Sequence, residues 1–519
     1  MRKFIAISAI VAMTTVGFAS DADIRAELEA LKKEIQALKE AQAKINIKSL
    51  KRQISSLKAK TGGDNLKWNV DFRTAYDVIG YKTINKNSSW NQILTNRLWL
   101  GMAYAPKDNI VFKGLISYYK AYGQMTNTVG AGFNYFDWIV NEMPNPNGEL
   151  RVKEAYWLYF GEDFLGADIP WTASIGRRPA TDGLLVSYRE DQKPKSPLGH
   201  IINTEFDGGS FKFDFEKITG ISGMYFKICL GRGMTNANIR YAGIQPGFFY
   251  GSNDDLVLSG NGAEYTKVPG YKSTDLAGFI FVPYDDGQYS VHTTAFKAFD
   301  LPGIVFKGGY DINGDGINDV PTGDFEQVGD YYGAAISFLA QGIGDGINDM
   351  LDDTNAFISF AVSKTDPDNN NQMLGMYVDS NGDNTPDTLL GAAPGESKTG
   401  SSIYVGANWP CQLIDDARVG IEYNHGSRYW RSFTYAEDTL AGSKLATRGD
   451  AYEVWFTKEL IGKTLTAQIR YTYIDYDYTG SNGFFANGGA PVKVDSAFGR
   501  AFDAIDTAQD LRFYIRYRY

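Results

Sequence analysis

Histidine, cysteine and long apolar runs are what this 519-residue chain has least of. Three histidines, His200, His292 and His425, leave no material for a histidine-rich metal centre. Asn424-His425-Gly426-Ser427 holds the residue types of a hydrolase triad. Adjacent residues of a strand point to opposite faces, however, so these cannot converge, and we read no catalytic residue and no enzyme. Two cysteines, Cys229 and Cys411, allow one bridge or two isolated thiols, and their spacing decides neither. No strong phosphate-cradling motif is present, and a formal net charge of -10 argues against nucleic acid as a partner, where a basic surface is expected. After the N-terminus, no segment approaches the roughly 18 apolar residues of a membrane helix.

What is there begins with an export signal. Arg2 and Lys3 precede an apolar run from Phe4 to about Val16, and Gly17-Phe18-Ala19 supplies small residues for cleavage after Ala19 or Ser20. Residues 1–19 are therefore read as a signal peptide. Between Ala22 and Lys60 there is no Gly or Pro. Ile24, Leu28, Leu31, Ile35, Leu38 and Ile45 follow the four-three spacing of a coiled-coil seam, with Gln42 at an intervening core position. Leu50, Ile54 and Leu57 resume it in a shifted phase. The narrow seam and charged flanks favour self-association over a lone amphipathic helix, and mixed Leu and Ile in the core fit a trimer. Residues 20–60 are thus a periplasmic coiled coil, and 61–66, with Gly62-Gly63, a linker.

From Lys67 the period changes from about 3.5 to 2. Trp68, Val70, Phe72, Tyr76 and Val78 alternate with Lys67, Asn69, Asp71, Arg73 and Asp77. The last stretch does the same: Leu511, Phe513, Ile515, Tyr517 and Tyr519 share one face, and Arg512, Tyr514, Arg516 and Arg518 the other. A strand oily outside and cationic inside belongs in a transmembrane barrel, where lipid meets the apolar face and ring closure pairs the backbone. Residues 67–519 are accordingly an antiparallel, all-β outer-membrane barrel whose first and last strands are neighbours. Counting from each end and adding one strand hidden between 233 and 274, near Ile239–Tyr250 or Asp255–Ser259, predicts about eighteen strands, within about two.

Four stretches carry a family likeness. Arg151 to Trp157 (R-V-K-E-A-Y-W), Ile175 to Gly183 (I-G-R-R-P-A-T-D-G), Gly420 to Trp430 (G-I-E-Y-N-H-G-S-R-Y-W) and Lys444 to Glu453 (K-L-A-T-R-G-D-A-Y-E) resemble those of a little-characterised family of porin-like bacterial outer-membrane proteins. That resemblance implies a signal peptide, a coiled coil and a barrel; the family is catalogued as a domain of unknown function and supplies no solute.

Function then rests on the wall. Inward Arg470, Arg512, Arg516 and Arg518 on the last strands form a candidate basic ladder, and Arg73, Arg177 and Arg178 are further pore-lining candidates. Facing the ladder, Asp71, Asp77 and Glu154, with the loop carboxylates Asp182, Glu190 and Asp191, could set a transverse field or merely fill the wall with ion pairs. The segment from Arg177 to His200 is the candidate inward constriction loop. Asp311, Asn313, Asp315 and Asp319, and again Asp379, Asn381, Asp383 and Asp387, space oxygen ligands like the front half of a calcium loop, or are plain Asx turns. The reading is a trimeric porin passing small hydrophilic solutes. It needs no cofactor beyond structural Ca2+ in outer loops, and its partners are membrane lipid and its own copies. The alternatives are a plugged barrel serving as an anchor, and a solute-selective channel.

Overall fold

The computed structural model divides into residues 1–65 and 66–519. It describes 66–123, 150–179, 189, 197–236, 248–250, 256–258, 272–310, 320–344, 346–380, 386–434 and 439–519. The export signal, the coiled-coil seam from Ile24 to Leu57 and residues 61–65 of the linker lie outside the described residues, and Leu66, read as the linker's last residue, begins the first strand.

Sixteen strands close one antiparallel ring. They are β1 (Leu66–Thr83), β2 (Ser88–Lys107), β3 (Ile110–Ala121), β4 (Arg151–Gly161), β5 (Trp171–Pro179), β6 (Glu205–Asp214), β7 (Tyr225–Met234) and β8 (Thr274–Asp285). The ring continues with β9 (Tyr289–Tyr310), β10 (Val320–Gln341), β11 (Asn355–Pro367), β12 (Thr399–Pro410), β13 (Ala417–Gly426), β14 (Gly449–Ile461), β15 (Leu465–Tyr476) and β16 (Ile505–Arg518). Each pairs with the next, and β16 returns to β1 with Phe513 opposite Tyr76. Closure leaves no open sheet edge, which is what lets a sheet stand in lipid. No helix among the described residues is long and apolar enough to cross a membrane.

Two strand readings are corrected. The count of eighteen takes strands near 288 and near 303 as two, parted at Phe299-Asp300-Leu301-Pro302-Gly303. That stretch is instead a bulge within one strand of 22 residues, β9. Asp300 takes a left-handed φ of 49°, its N–H donates to Asp330 Oδ1 at 3.0 Å, and the register with β10 shifts on either side of Leu301. That false division reversed the direction of every strand counted before it and required the extra strand between 233 and 274. β7 in fact pairs directly with β8, Leu230 opposite Ala277, so the ring has sixteen strands and not eighteen.

Alternation sets the faces. On β16 Leu511, Phe513, Ile515 and Tyr517 are exposed, whereas Arg512, Tyr514 and Arg516 are buried. The inner space is not an empty cylinder. Beyond β11, β13 and β15 the connecting segments 368–398, 427–448 and 477–504 contribute Met373, Leu374, Phe433, Phe484 and Phe485 to one apolar cluster with the wall residues Leu301, Val328 and Tyr331. The short strand Phe485–Ala486 adds to β9 in parallel at Gly303–Ile304, outside the ring order.

Candidate functional site

The inward face brings its cations together by register. Arg73 on β1 lies directly opposite Arg97 on β2 and opposite Arg516 on β16. Further along, Arg512 lies opposite Arg470 on β15 and opposite Asp77 on β1. Five guanidiniums thus form an arc over four adjacent strands, although like charges facing across a ladder are unfavourable. Carboxylates and rings hold them. Asp71 takes two bonds from Arg516, the one from Nε at 2.8 Å, and stands 4.0 Å from Arg97; Asp77 pairs with Arg512. The Arg97 guanidinium lies 3.7 Å from the Trp99 ring centre, and Arg73 lies 5.6 Å from Tyr119 and 5.7 Å from Tyr514, cation–π contacts that fix the plane of each fork.

The next strands around the ring carry the opposite sign. Glu422 on β13 and Glu453 on β14 face each other in register. Two segments that fold inward bring cations to them. Lys444 pairs with Glu422 and, at 2.7 Å, with Glu453; Arg189 reaches Glu453 at 3.4 Å. Thr472 donates to Glu453 at 2.7 Å, and Arg470 stands 3.8 Å away, which links this acidic pair to the arginine arc.

Arg189 belongs to the segment joining β5 to β6, and its described parts contact the far wall. Gln468 on β15 donates to the Arg189 carbonyl. Farther on, His200 closes a short 3-10 turn, Pro197–His200, and sits between Ser359 on β11 and Ser402 on β12, each 2.9 Å away. Burial pushes the His200 imidazole down to about 3, against a smaller opposing pull from Asn424, so it is neutral. Asn203 and Ile201 then exchange backbone bonds with Phe433, which ties this segment to 427–448. Arg431 in turn donates to the carbonyls of Gly480 and Ser481, and Arg448 to those of Trp430, Thr479 and Gly489. Three connecting segments are therefore knitted to one another inside the ring.

Of the residues singled out in the sequence, Asp71, Arg73, Asp77, Arg470, Arg512 and Arg516 meet in one network. Arg518 does not: it is exposed at the end of β16, because the last residues run past the packed interior. Glu154 is buried on β4, next to Lys153, which pairs with Glu205. Arg177 and Arg178 lie on strand β5 and not in a loop; Arg178 donates to Ser174 and Ser210, and Arg177 stands 3.9 Å from Asp207. Asp182, Glu190, Asp191, Asp311, Asn313, Asp315, Asp319, Asn381 and Asp383 lie outside the described residues. Asp387 accepts from Ser380 N–H and Oγ, and these hydrogen bonds lower its carboxyl below the ordinary value. Among the described residues no group of acids, histidines and cysteines is arranged to hold a metal. Cys229 and Cys411 are both free thiols.

Arg97, Glu422 and Glu453 were missed although alternation points to the two glutamates: Glu422 falls between Ile421 and Tyr423 and Glu453 between Tyr452 and Val454, whereas Arg97 has one polar neighbour, Asn96. Lys444, Arg189 and His200 carry no such signal, because a chain reversal brings them to the wall.

Residues 87–519 match a family model described as a protein of unknown function (DUF3373). No curated protein matches the chain. Among solved structures, the high-pH structure of Pseudomonas putida OprB is 12% identical over 90% of this chain and 96% of that one, with a TM-score of 0.43. The trimer form of OmpT, an outer membrane protein of Vibrio cholerae, is 13% identical over 88% and 100%, with a TM-score of 0.40. Salmonella typhi OmpF in complex with daunomycin is 10% identical over 88% and 99%, with a TM-score of 0.42. At such scores the likeness adds nothing to the ring closure read from this chain's own pairings.

Proposed function

This chain belongs to the family described as a protein of unknown function (DUF3373), so its role has to be read from its geometry, and we propose a porin-like channel of the outer membrane for small hydrophilic solutes. One observation carries the reading. A closed barrel turns apolar side chains outward and a continuous charged band inward, from Arg97 through Arg512 and Arg470 to Glu453 and Glu422. A barrel that only anchors has no need of charges in its interior, each of which loses hydration on burial. Arg73, Arg97 and Arg512 are 0% exposed. A wide water-filled pore would leave them wet, so the reading is of a narrow, selective passage.

The same burial, with segments 197–204, 427–448 and 477–504 bonded to one another, favours a second reading, a plugged barrel that anchors a surface-interaction protein. In either case residues 20–60 serve as the oligomerisation or tethering segment, and calcium braces the acidic loops. Single-channel recording on the refolded mature protein, with and without residues 20–63, separates the two. Conductance steps support the channel, and closure in threes that disappears with the helix assigns a trimeric tether. Silence from protein shown to be folded leaves the anchor.

A further inference from the structure

We infer that the arginine arc is an anion-binding step in the passage, and that the solutes which cross are small anions with oxygen acceptors, carboxylates or phosphate. The inference rests on the channel reading above and deepens it. Sign is the first ground. Although the chain carries a formal charge of -10, the buried charged side chains among the described residues are twelve Lys and Arg against seven Asp and Glu. The described interior is therefore net positive.

Arrangement is the second ground. A wall that merely paired its charges would alternate signs across the ladder, whereas Arg73 faces arginines on both neighbouring strands, and Arg470 faces Arg512. That register is costly unless negative charge is shared among the guanidiniums. Asp71, Asp77 and Glu453 supply negative charge at fixed positions, and an anion entering the arc would add to it.

Chemistry is the third. A guanidinium presents donors in a planar fork that matches two oxygens of a carboxylate or phosphate. Stacking of Arg97 on Trp99 and of Arg73 beside Tyr119 and Tyr514 fixes those planes before any ligand arrives. The five arginines are at most 3% exposed, so an anion reaches them only by displacing the groups packed over them, and then meets donors in place of bulk water.

The test uses the full mature chain in planar bilayers under a KCl gradient, with folding verified by the heat-dependent gel mobility of the barrel. The expected reversal potential is that of a chloride-preferring channel, and the anion-to-cation permeability ratio falls several-fold in Arg73→Gln and in Arg97→Gln. Inorganic phosphate or succinate, added to one side, lowers the chloride current in the wild type and does so less in either variant. A potassium preference, a chloride preference unchanged in both variants, or indifference to both phosphate and succinate would overturn the anion step while leaving a conducting channel in place. The wild-type reversal potential decides the sign even if a variant fails to fold. Absence of any conductance from folded protein removes the channel reading and this inference together.

Discussion

His200 shows how a single buried group fixes a segment in place. Ser337 donates to Ser359 at 2.7 Å, and Ser402 donates to Asn424 at 2.9 Å. The Ser359 hydroxyl is therefore left to donate to Nδ1, while Nε2–H donates to Ser402. A proton on Nδ1 would break that chain of donors, and the rings of Tyr404 and Trp430, each 5.5 Å away, offer it no hydration. The folded value of about 3 lies below the ordinary 6.5, so the unfolded chain binds the extra proton. Stability is full above pH 6.5 and is lost as pH falls toward 3, by at most about 1.4 kcal/mol per pH unit. Unfolding midpoints measured from pH 7.5 to 4.5 should decline in the wild type and decline less in His200→Gln; equal slopes would exclude this role. Glu453 is the second case. Glu453→Gln leaves Arg189 and Arg470 facing a neutral amide and Lys444 with Glu422 as its remaining ion-pair partner of the two, and a loss on the order of 3 kcal/mol is expected, read as a lower denaturation midpoint of the refolded barrel.

At the scale of elements, alternation made most of the ring legible. Leu511 to Tyr517 already separates lipid from lumen, and most strand starts follow from the same period. The strand count failed where local chemistry and sheet geometry disagree: Asp300-Leu301-Pro302-Gly303 has turn residues but sits in a bulge. Half of the site followed from alternation as well, as with Arg470, Arg512 and Arg516. The other half depends on segments that return to the wall, and no period marks Lys444 or Arg189. Segment 427–448 illustrates the difference. Its hold on the wall includes the double contact of Lys444 with Glu422 and Glu453, two carboxylates that would otherwise repel across the ladder. In Lys444→Met that repulsion is unbridged, and external protease should cut the segment several-fold faster in intact vesicles. Adding Glu422→Gln removes one of the two charges and should restore part of the resistance. Equal cleavage in all three proteins would show that the apolar packing of Trp430 and Phe433 holds the segment alone.

For the whole molecule, the separation of charge matters more than its total. An acidic chain whose described interior is basic carries two opposed fields, one from exposed carboxylates and one from the buried arc, and salt distinguishes them. Exposed charges are screened over about 10 Å at 0.1 M salt and about 3 Å at 1 M, whereas buried groups are screened much less. If selectivity arose from exposed carboxylates, the channel would prefer cations at low salt and lose that preference as salt rises. If it arises from Arg73, Arg97 and Arg516, the deciding charges are buried and screened much less, so added ions have little room to intervene. Reversal potentials measured at a constant KCl ratio, with the mean concentration raised from about 0.1 M to about 1 M, should therefore keep their anionic sign and most of their size. A preference that collapses toward zero over that range would move the selective charges from the arc to the exposed surface.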